Sequence, residues 1–185
     1  VVDYACNGEE GLRKAFDLKP DLITLDLEMP RMDGFSFLRI LMQSRPTPVI
    51  VISSRSGDED VFRALEFGAV EFIAKPSAQI TPQLFDIRDD LIRKVIEVAG
   101  ADMGKVLKRS VSGHGEVRRP PPRPARKGRG SAIRQVVVGA STGGPPALQA
   151  IFSAIQDPLE IGFAISQHMP PGFTRAFADR LNKFT

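Results

Sequence analysis

Leu22 to Leu38 read LITLDLEMPRMDGFSFL, and the two halves of this stretch have different periods. Asp21 to Leu27 is an apolar run that closes on acid, with Asp26 at its end, so it reads as a strand. Gly34 to Gln43 places Phe35, Leu38, Leu41 and Met42 on one helical face. A strand that hands a carboxylate to a turn, followed by a helix, is half of a β-α-β unit. The same alternation recurs outward. VVDYA at the start reads as a strand, and Gly8 to Leu18 carries Leu12, Ala15 and Phe16 at helical spacing. Downstream, PVIVIS is a strand, Asp58 to Gly68 a helix with Val61, Phe62 and Leu65 facing inward, and VEFIA a strand closed by Lys75-Pro76. Ile80 to Val98 is a longer amphipathic helix. Strands alternating with helices of this length predict an α/β fold, a parallel sheet with helices on both faces. In such sheets ligands sit beyond the carboxyl ends of the strands.

Three reactive side chains fall at those ends. Asp26 closes one strand, Ser53 (followed by Ser54) the next, and Lys75 the third. A carboxylate can attack a phosphoryl group and hold it as an acyl phosphate. A hydroxyl and an ammonium can then contact the new phosphoryl oxygens. A divalent cation with hard oxygen ligands would offset the charge, as Mg²⁺ prefers. Each residue alone has a plain reading, as a turn acid or a surface charge; the set at successive strand ends does not.

LITLDLEMPRMDGFSFL, PVIVISS and GAVEFIAKPS together resemble a response-regulator receiver domain, a flavodoxin-like fold, over residues 1–98. The resemblance implies that Asp26 is the phosphoacceptor. It gives Glu28 the backbone carbonyl that helps hold Mg²⁺, Ser53 the hydroxyl and Lys75 the ammonium that meet the phosphoryl group. Phe72 falls at the switch aromatic; its other reading is plain core. Receivers open with a strand that ends in a metal-binding acidic pair. That strand and that pair do not precede Asp3, which lies in the second strand of the pattern and is no substitute. In the family order 2-1-3-4-5 the first strand is central. The expectation is therefore that strand two is left without its partner, and that this polypeptide folds poorly and does not hold Mg²⁺ at Asp26.

Composition sets the outer limits. The chain has 185 residues, 42% of them hydrophobic, which allows a packed core. Its one cysteine, Cys6, forms no internal disulfide, which suits a cytoplasmic location. No apolar stretch approaches the roughly 18 residues of a membrane span. The chain opens without Met, inside an apparent strand, and reads as a fragment. Its net charge of +3 is unevenly spread: from Lys105 to Arg134 ten cations face Glu116 alone, which leaves the rest at −6. This basic stretch belongs to a Pro-, Gly- and Arg-rich segment, residues 99–132, that includes RRPPPRPARKGRGS. It reads as a solvated tether rather than a proline-motif ligand. It has no aromatic residue for base stacking, which argues against nucleic-acid binding.

Residues 133–185 form a second body. QVVVGAS is a strand entering the turn Gly139-Ala140-Ser141-Thr142-Gly143-Gly144, and a helix follows to about Ile155. IGFAISQHM is a second strand, ending at His168, and after Pro170-Pro171-Gly172 a helix runs from Phe173 to Leu181. This β-α-β-α order brings Ser141 and His168 to one sheet edge. A dinucleotide turn needs Gly where Ser141 stands, and the Walker lysine is missing, so phosphate cradling is disfavoured. Gly139-x-Ser141-x-Gly143 has the spacing of a serine elbow. A serine needs a base, and His168 is the candidate; His114, in the tether, is read as solvated. An ordinary Gly-rich turn remains the alternative for Ser141, as a capping histidine does for His168.

VVVGASTGGPPAL with ISQHMPPGFTRAFADRLN closely resembles the catalytic domain of the chemotaxis protein-glutamate methylesterases, a doubly wound parallel-sheet hydrolase that this family tethers to a receiver. The resemblance implies Ser141 as nucleophile, His168 as base and Thr142 as support for the histidine or the oxyanion. It also implies a phosphorylation-regulated, cytoplasmic, monomeric enzyme. Such an enzyme hydrolyses glutamyl methyl esters and deamidates glutamines on methyl-accepting chemoreceptors, with a histidine kinase as phosphodonor and no cofactor in the hydrolase. The family's third catalytic residue is an aspartate later than Thr185, and Asp179 reads as a surface charge instead. The 185-residue chain itself is accordingly expected to be inactive. Two other readings stand beside this one: a receiver-controlled transcriptional regulator, and an adaptor without chemistry.

Overall fold

A computed structural model of the chain describes residues 1–53, 58–75, 83–101, 134–155, 159, 161–170 and 172–184. Residues 102–133, which hold most of the expected tether and His114, lie outside them, as do Ser54, Pro76 and Pro171.

Helix α1, Gly8–Leu18, starts where the Asn7 side chain accepts the Glu10 N–H. Glu9 and Glu10 in its first turn suit the positive end of the helix dipole. Strand β1, Ile23–Asp26, leads to α2, Gly34–Ser44, whose cap is Asp33 accepting from Ser36 N–H at 2.8 Å. These backbone and hydroxyl donors hold the Asp33 carboxyl below the usual carboxylate range. Then follow β2, Val49–Ser53; α3, Asp58–Glu66; β3, Glu71–Ala74; and α4, Gln83–Gly100.

The three strands form a parallel sheet in the order β1-β2-β3. The register pairs Asp26 with Ile52 and Ser53 with Ala74, so the reactive ends are level. Leu25, Val49, Ile50, Val51, Phe72 and Ile73 from the sheet bury against Phe37, Leu38, Leu41, Val61 and Leu65 from the helices. One expectation fails. Val1 to Ala5 form no strand, and Val1, Val2 and Tyr4 are exposed. Their composition favours extended backbone, but a strand exists only through its neighbour. Among the described residues no strand pairs with them.

The second body is β4, Gln135–Ala140; α5, Gly144–Ser153; β5, Gly162–Gln167; and α6, Phe173–Leu181. The strands pair parallel over six residues, Gln135 with Gly162 through Ala140 with Gln167. Prolines open α5, where the missing N–H costs nothing. Leu148, Phe152, Phe173, Phe177 and Leu181 are buried, with Phe163 edge-on to Phe152 at 5.0 Å.

The two bodies share one apolar cluster. Phe62 of α3 stacks on Phe177 at 5.6 Å between ring centroids, and Phe72 of β3 meets Phe173 at 4.8 Å. Arg180 of α6 pairs with Glu66 beside them. Aromatic pairs of this kind add about 0.5–1.5 kcal/mol each beyond the area they bury.

Candidate functional site

At the carboxyl edge of the first sheet, Lys75 Nζ donates to Asp26 Oδ2 at 2.6 Å. Asp26 Oδ1 accepts the Glu28 N–H at 3.1 Å. Ser53 is buried, and its carbonyl accepts the Lys75 N–H at 2.6 Å. The sequence thus placed Asp26, Ser53 and Lys75 on one edge, and the structure brings them together. Gly34 is required here: a Cβ on it would lie 2.5 Å from the Asp26 carbonyl oxygen and 2.7 Å from Leu27 Cα. The loop after β1 therefore folds tightly over the strand end. Of the groups expected around Mg²⁺, the described residues place the Asp26 carboxylate at this strand end, with the Glu28 N–H bonded to it. Among them no group of three or more acidic, histidine or cysteine residues stands together. Asp3 is committed to Lys14, at 3.0 Å, and to the Tyr4 N–H. This donor set, among the described residues, does not amount to a Mg²⁺ site.

At the matching edge of the second sheet, Ser141 follows β4 and His168 follows β5, one step beyond the Ala140–Gln167 pair. His168 N–H donates to the Ala140 carbonyl at 3.0 Å and so extends the ladder to the histidine. Both Ser141 and His168 are exposed. Among the described residues no hydrogen bond joins the Ser141 hydroxyl to the imidazole. Gly143, with φ +74°, caps α5 in the left-handed conformation, and Gly144 N–H donates to Ser141 O at 2.8 Å.

The sequence reading missed Gln167. Its amide donates to the Ser141 carbonyl at 2.9 Å and to the His168 carbonyl at 2.8 Å, tying the two turns together. Its carbonyl lies where a Cβ on Gly144 would be, 2.0 Å away. The glycine after Gly143 is thus a close approach rather than a flexible joint. Gly144→Ala displaces Gln167 and breaks both bonds, a loss of about 1–3 kcal/mol. Thermal unfolding measures it, and an unchanged midpoint would contradict this role for Gln167.

Helix α4 of the first body reaches the second site. Thr142 Oγ1 donates to Glu97 Oε2, and this bond, with Arg93 next, holds the Glu97 carboxyl below its usual range. Arg93 Nη2 lies 3.4 Å from His168 Nδ1. Beneath β5 lies an apolar groove of about 690 Å³, lined by Phe152, Phe163, Ile165, Phe177, Leu181 and Phe184 among others. Neither Ser141 nor His168 lines it. Ser141 and His168 sit at the strand-end edge, as topology dictates, and not in that groove. No helix among the described residues is long and apolar enough to cross a membrane.

Residues 1–83 match the response regulator receiver domain, and residues 136–185 match the CheB methylesterase family. A protein-glutamate methylesterase/protein-glutamine glutaminase of Geobacter sulfurreducens is 48% identical over 205 residues, covering all of this chain and 54% of the relative. One from Myxococcus xanthus is 46% identical, over 99% of this chain and 50% of its own length. The chain thus spans about half the length of these relatives. Among solved structures, the response regulator domain of Thermotoga maritima CheB is similar over 55% of this chain and 78% of its own, with a TM-score of 0.50 and 38% identity. With receiver-type residues level at one sheet edge, a serine and a histidine level at another, and relatives of one kind along its whole length, the chain is similar to the response-regulator protein-glutamate methylesterases, with a receiver domain first and the CheB methylesterase match after it.

Proposed function

We propose that the whole protein hydrolyses glutamyl methyl esters, and deamidates glutamines, on methyl-accepting chemoreceptors, under control of phosphorylation at Asp26. The observation that carries this reading is the level placement of Ser141 and His168 at the ends of two paired strands. Residues 1–98 serve as the receiver, 99–132 as the tether and 133–185 as the opening of the catalytic body.

In the reaction, the Ser141 oxygen attacks the ester carbonyl while His168 takes its proton. Methanol leaves with that proton, and water then releases the glutamate from Ser141 by the reverse sequence. Backbone N–H groups at the start of α5 face the developing oxyanion, with Thr142 beside them. In the receiver, Asp26 accepts the phosphoryl group from a histidine kinase, and Lys75 and the Ser53 hydroxyl contact it. Phosphorylation takes Lys75 from its present bond to Asp26 and draws Ser53 toward the phosphoryl oxygens. Phe72, one strand over and packed on Phe173, carries the change to the interface.

Docked as described, α4 holds the two strand-end turns through Thr142 and His168 while Ser141 itself stays exposed; phosphorylation loosens that contact, and a few kcal/mol between the two states suffices. The expected result is that a phosphodonor raises methanol release from methylated receptors by the wild type and not by Asp26→Asn. Equal stimulation of both would overturn the role of Asp26. Strands alternate with helices among the described residues of the second body, which lends no support to a transcriptional output.

A further inference from the structure

The stripe Asp90, Arg93 and Glu97 lies on one face of α4, at steps of three and four residues, and meets both strand-end turns of the second body. Arg93 Nη1 bonds Glu97 Oε1 at 3.2 Å, and Arg93 Nη2 pairs with Asp90. The guanidinium is therefore anchored from both sides before it reaches His168 Nδ1, 3.4 Å away. Glu97 in turn accepts the hydroxyl of Thr142, the residue after Ser141.

We infer that Arg93 and Glu97 form a two-point clamp that holds the docked enzyme off by fixing the tautomer of His168. A guanidinium has five N–H donors and no acceptor. The nitrogen that faces it must present its lone pair, so in the neutral ring the proton sits on Nε2. A base needs a bare nitrogen toward the serine hydroxyl. Nδ1 is taken by Arg93, and Nε2 is already protonated, so neither nitrogen can receive the Ser141 proton. Undocking α4 withdraws Arg93, and the proton is then free to move to Nδ1. Arg93 is thus a positioning residue acting through His168. The inference rests on His168 being the base, and it gives the docked contact of α4 a chemical effect on a site that stays exposed.

The chain has two histidines, so His114→Gln leaves His168 as the single imidazole for ¹⁵N-histidine labelling. Long-range proton–nitrogen spectra, at a pH well above the ordinary histidine pKa of about 6.5, then tell a bare nitrogen from a protonated one. The expected result is one tautomer, Nδ1 bare and Nε2 protonated. Arg93→Lys, also a pure donor, keeps it, and Arg93→Met gives shifts averaged over both. A protonated or averaged Nδ1 in the unsubstituted chain overturns the clamp, as does a spectrum that Arg93→Met leaves unchanged. Should Arg93→Met not fold, scalar coupling across the Arg93 N–H to Nδ1 decides instead: its presence supports the clamp and its absence overturns it. In the whole protein without phosphodonor, Arg93→Met raises methyl-ester hydrolysis about 5–150-fold, the span of ordinary coupling between sites, and Arg93→Lys does not. An unchanged rate contradicts the lock. The spectra need no turnover, so they stand or fall separately from the catalytic reading, which Ser141→Ala tests.

Discussion

Ser141→Ala is expected to lower kcat for methyl-ester hydrolysis by the whole protein by about 10⁶-fold, the loss seen when a serine hydrolase is stripped of its nucleophile. The size follows from the chemistry. The turn supplies position and backbone donors, which outlast the substitution, but no other group replaces the attacking oxygen. His168→Ala has a loss of the same order, because a serine without its base is a poor nucleophile at neutral pH. The double variant is then scarcely worse than either single one, since the pair acts as a unit. Methanol release measures the rate. Stability separates this effect from misfolding: the Ser141 side chain is exposed and its hydroxyl holds no hydrogen bond among the described residues, so the unfolding midpoint of Ser141→Ala stays with the wild type. Full hydrolysis by Ser141→Ala would remove the nucleophile from the account.

Lys94→Met is expected to have the largest effect on stability, about 3–5 kcal/mol at neutral pH. Lys94 is 2% exposed. Its ammonium donates to the Phe72 carbonyl at 2.7 Å and lies 3.4 Å from Glu71 Oε1 and 3.5 Å from Asp90 Oδ2. Methionine fills the volume but strands the buried Glu71 carboxylate. Burial already pushes the Glu71 carboxyl above its usual range, and Lys94 is the strongest influence opposing that shift. A carboxyl raised in the folded state favours folding most below its ordinary value of 4.5. That contribution is lost as pH rises through the raised value. Without Lys94 the rise is steeper. The cost of Lys94→Met is therefore smallest in acid and grows toward neutral pH. Denaturant unfolding of both proteins between about pH 5 and pH 8 measures it. A cost that stays flat or shrinks with rising pH would contradict this reading of the pair.

Much of this was legible in the sequence because it is local. Asp26, Ser53 and Lys75 close three apolar strands, and parallel pairing leaves their ends level. Ser141 and His168 follow by the same rule from β4 and β5. The failure at Val1 to Ala5 has the opposite cause: extended propensity is local, and pairing is not. Gln167 escaped notice because an amide beside a reactive histidine looks like a spacer until the two turns are seen meeting over it. Glu71 does carry a signal in the sequence, as a carboxylate inside the apolar strand VEFIA has to find a buried cation. The contacts of Arg93 and Glu97 with the second body had none, since they join residues 45 and 75 positions apart on elements whose own periodicity is satisfied without them.

The central claim is that Ser141 is a nucleophile whose reactivity Asp26 governs. Labelling the whole protein with a serine-directed phosphonate, with and without phosphodonor, and locating the adduct by mass spectrometry tests it most directly. The account expects the adduct at Ser141, faster with phosphodonor in the wild type, and without that acceleration in Asp26→Asn. An adduct elsewhere, or labelling of Ser141 at one rate in every case, would contradict it.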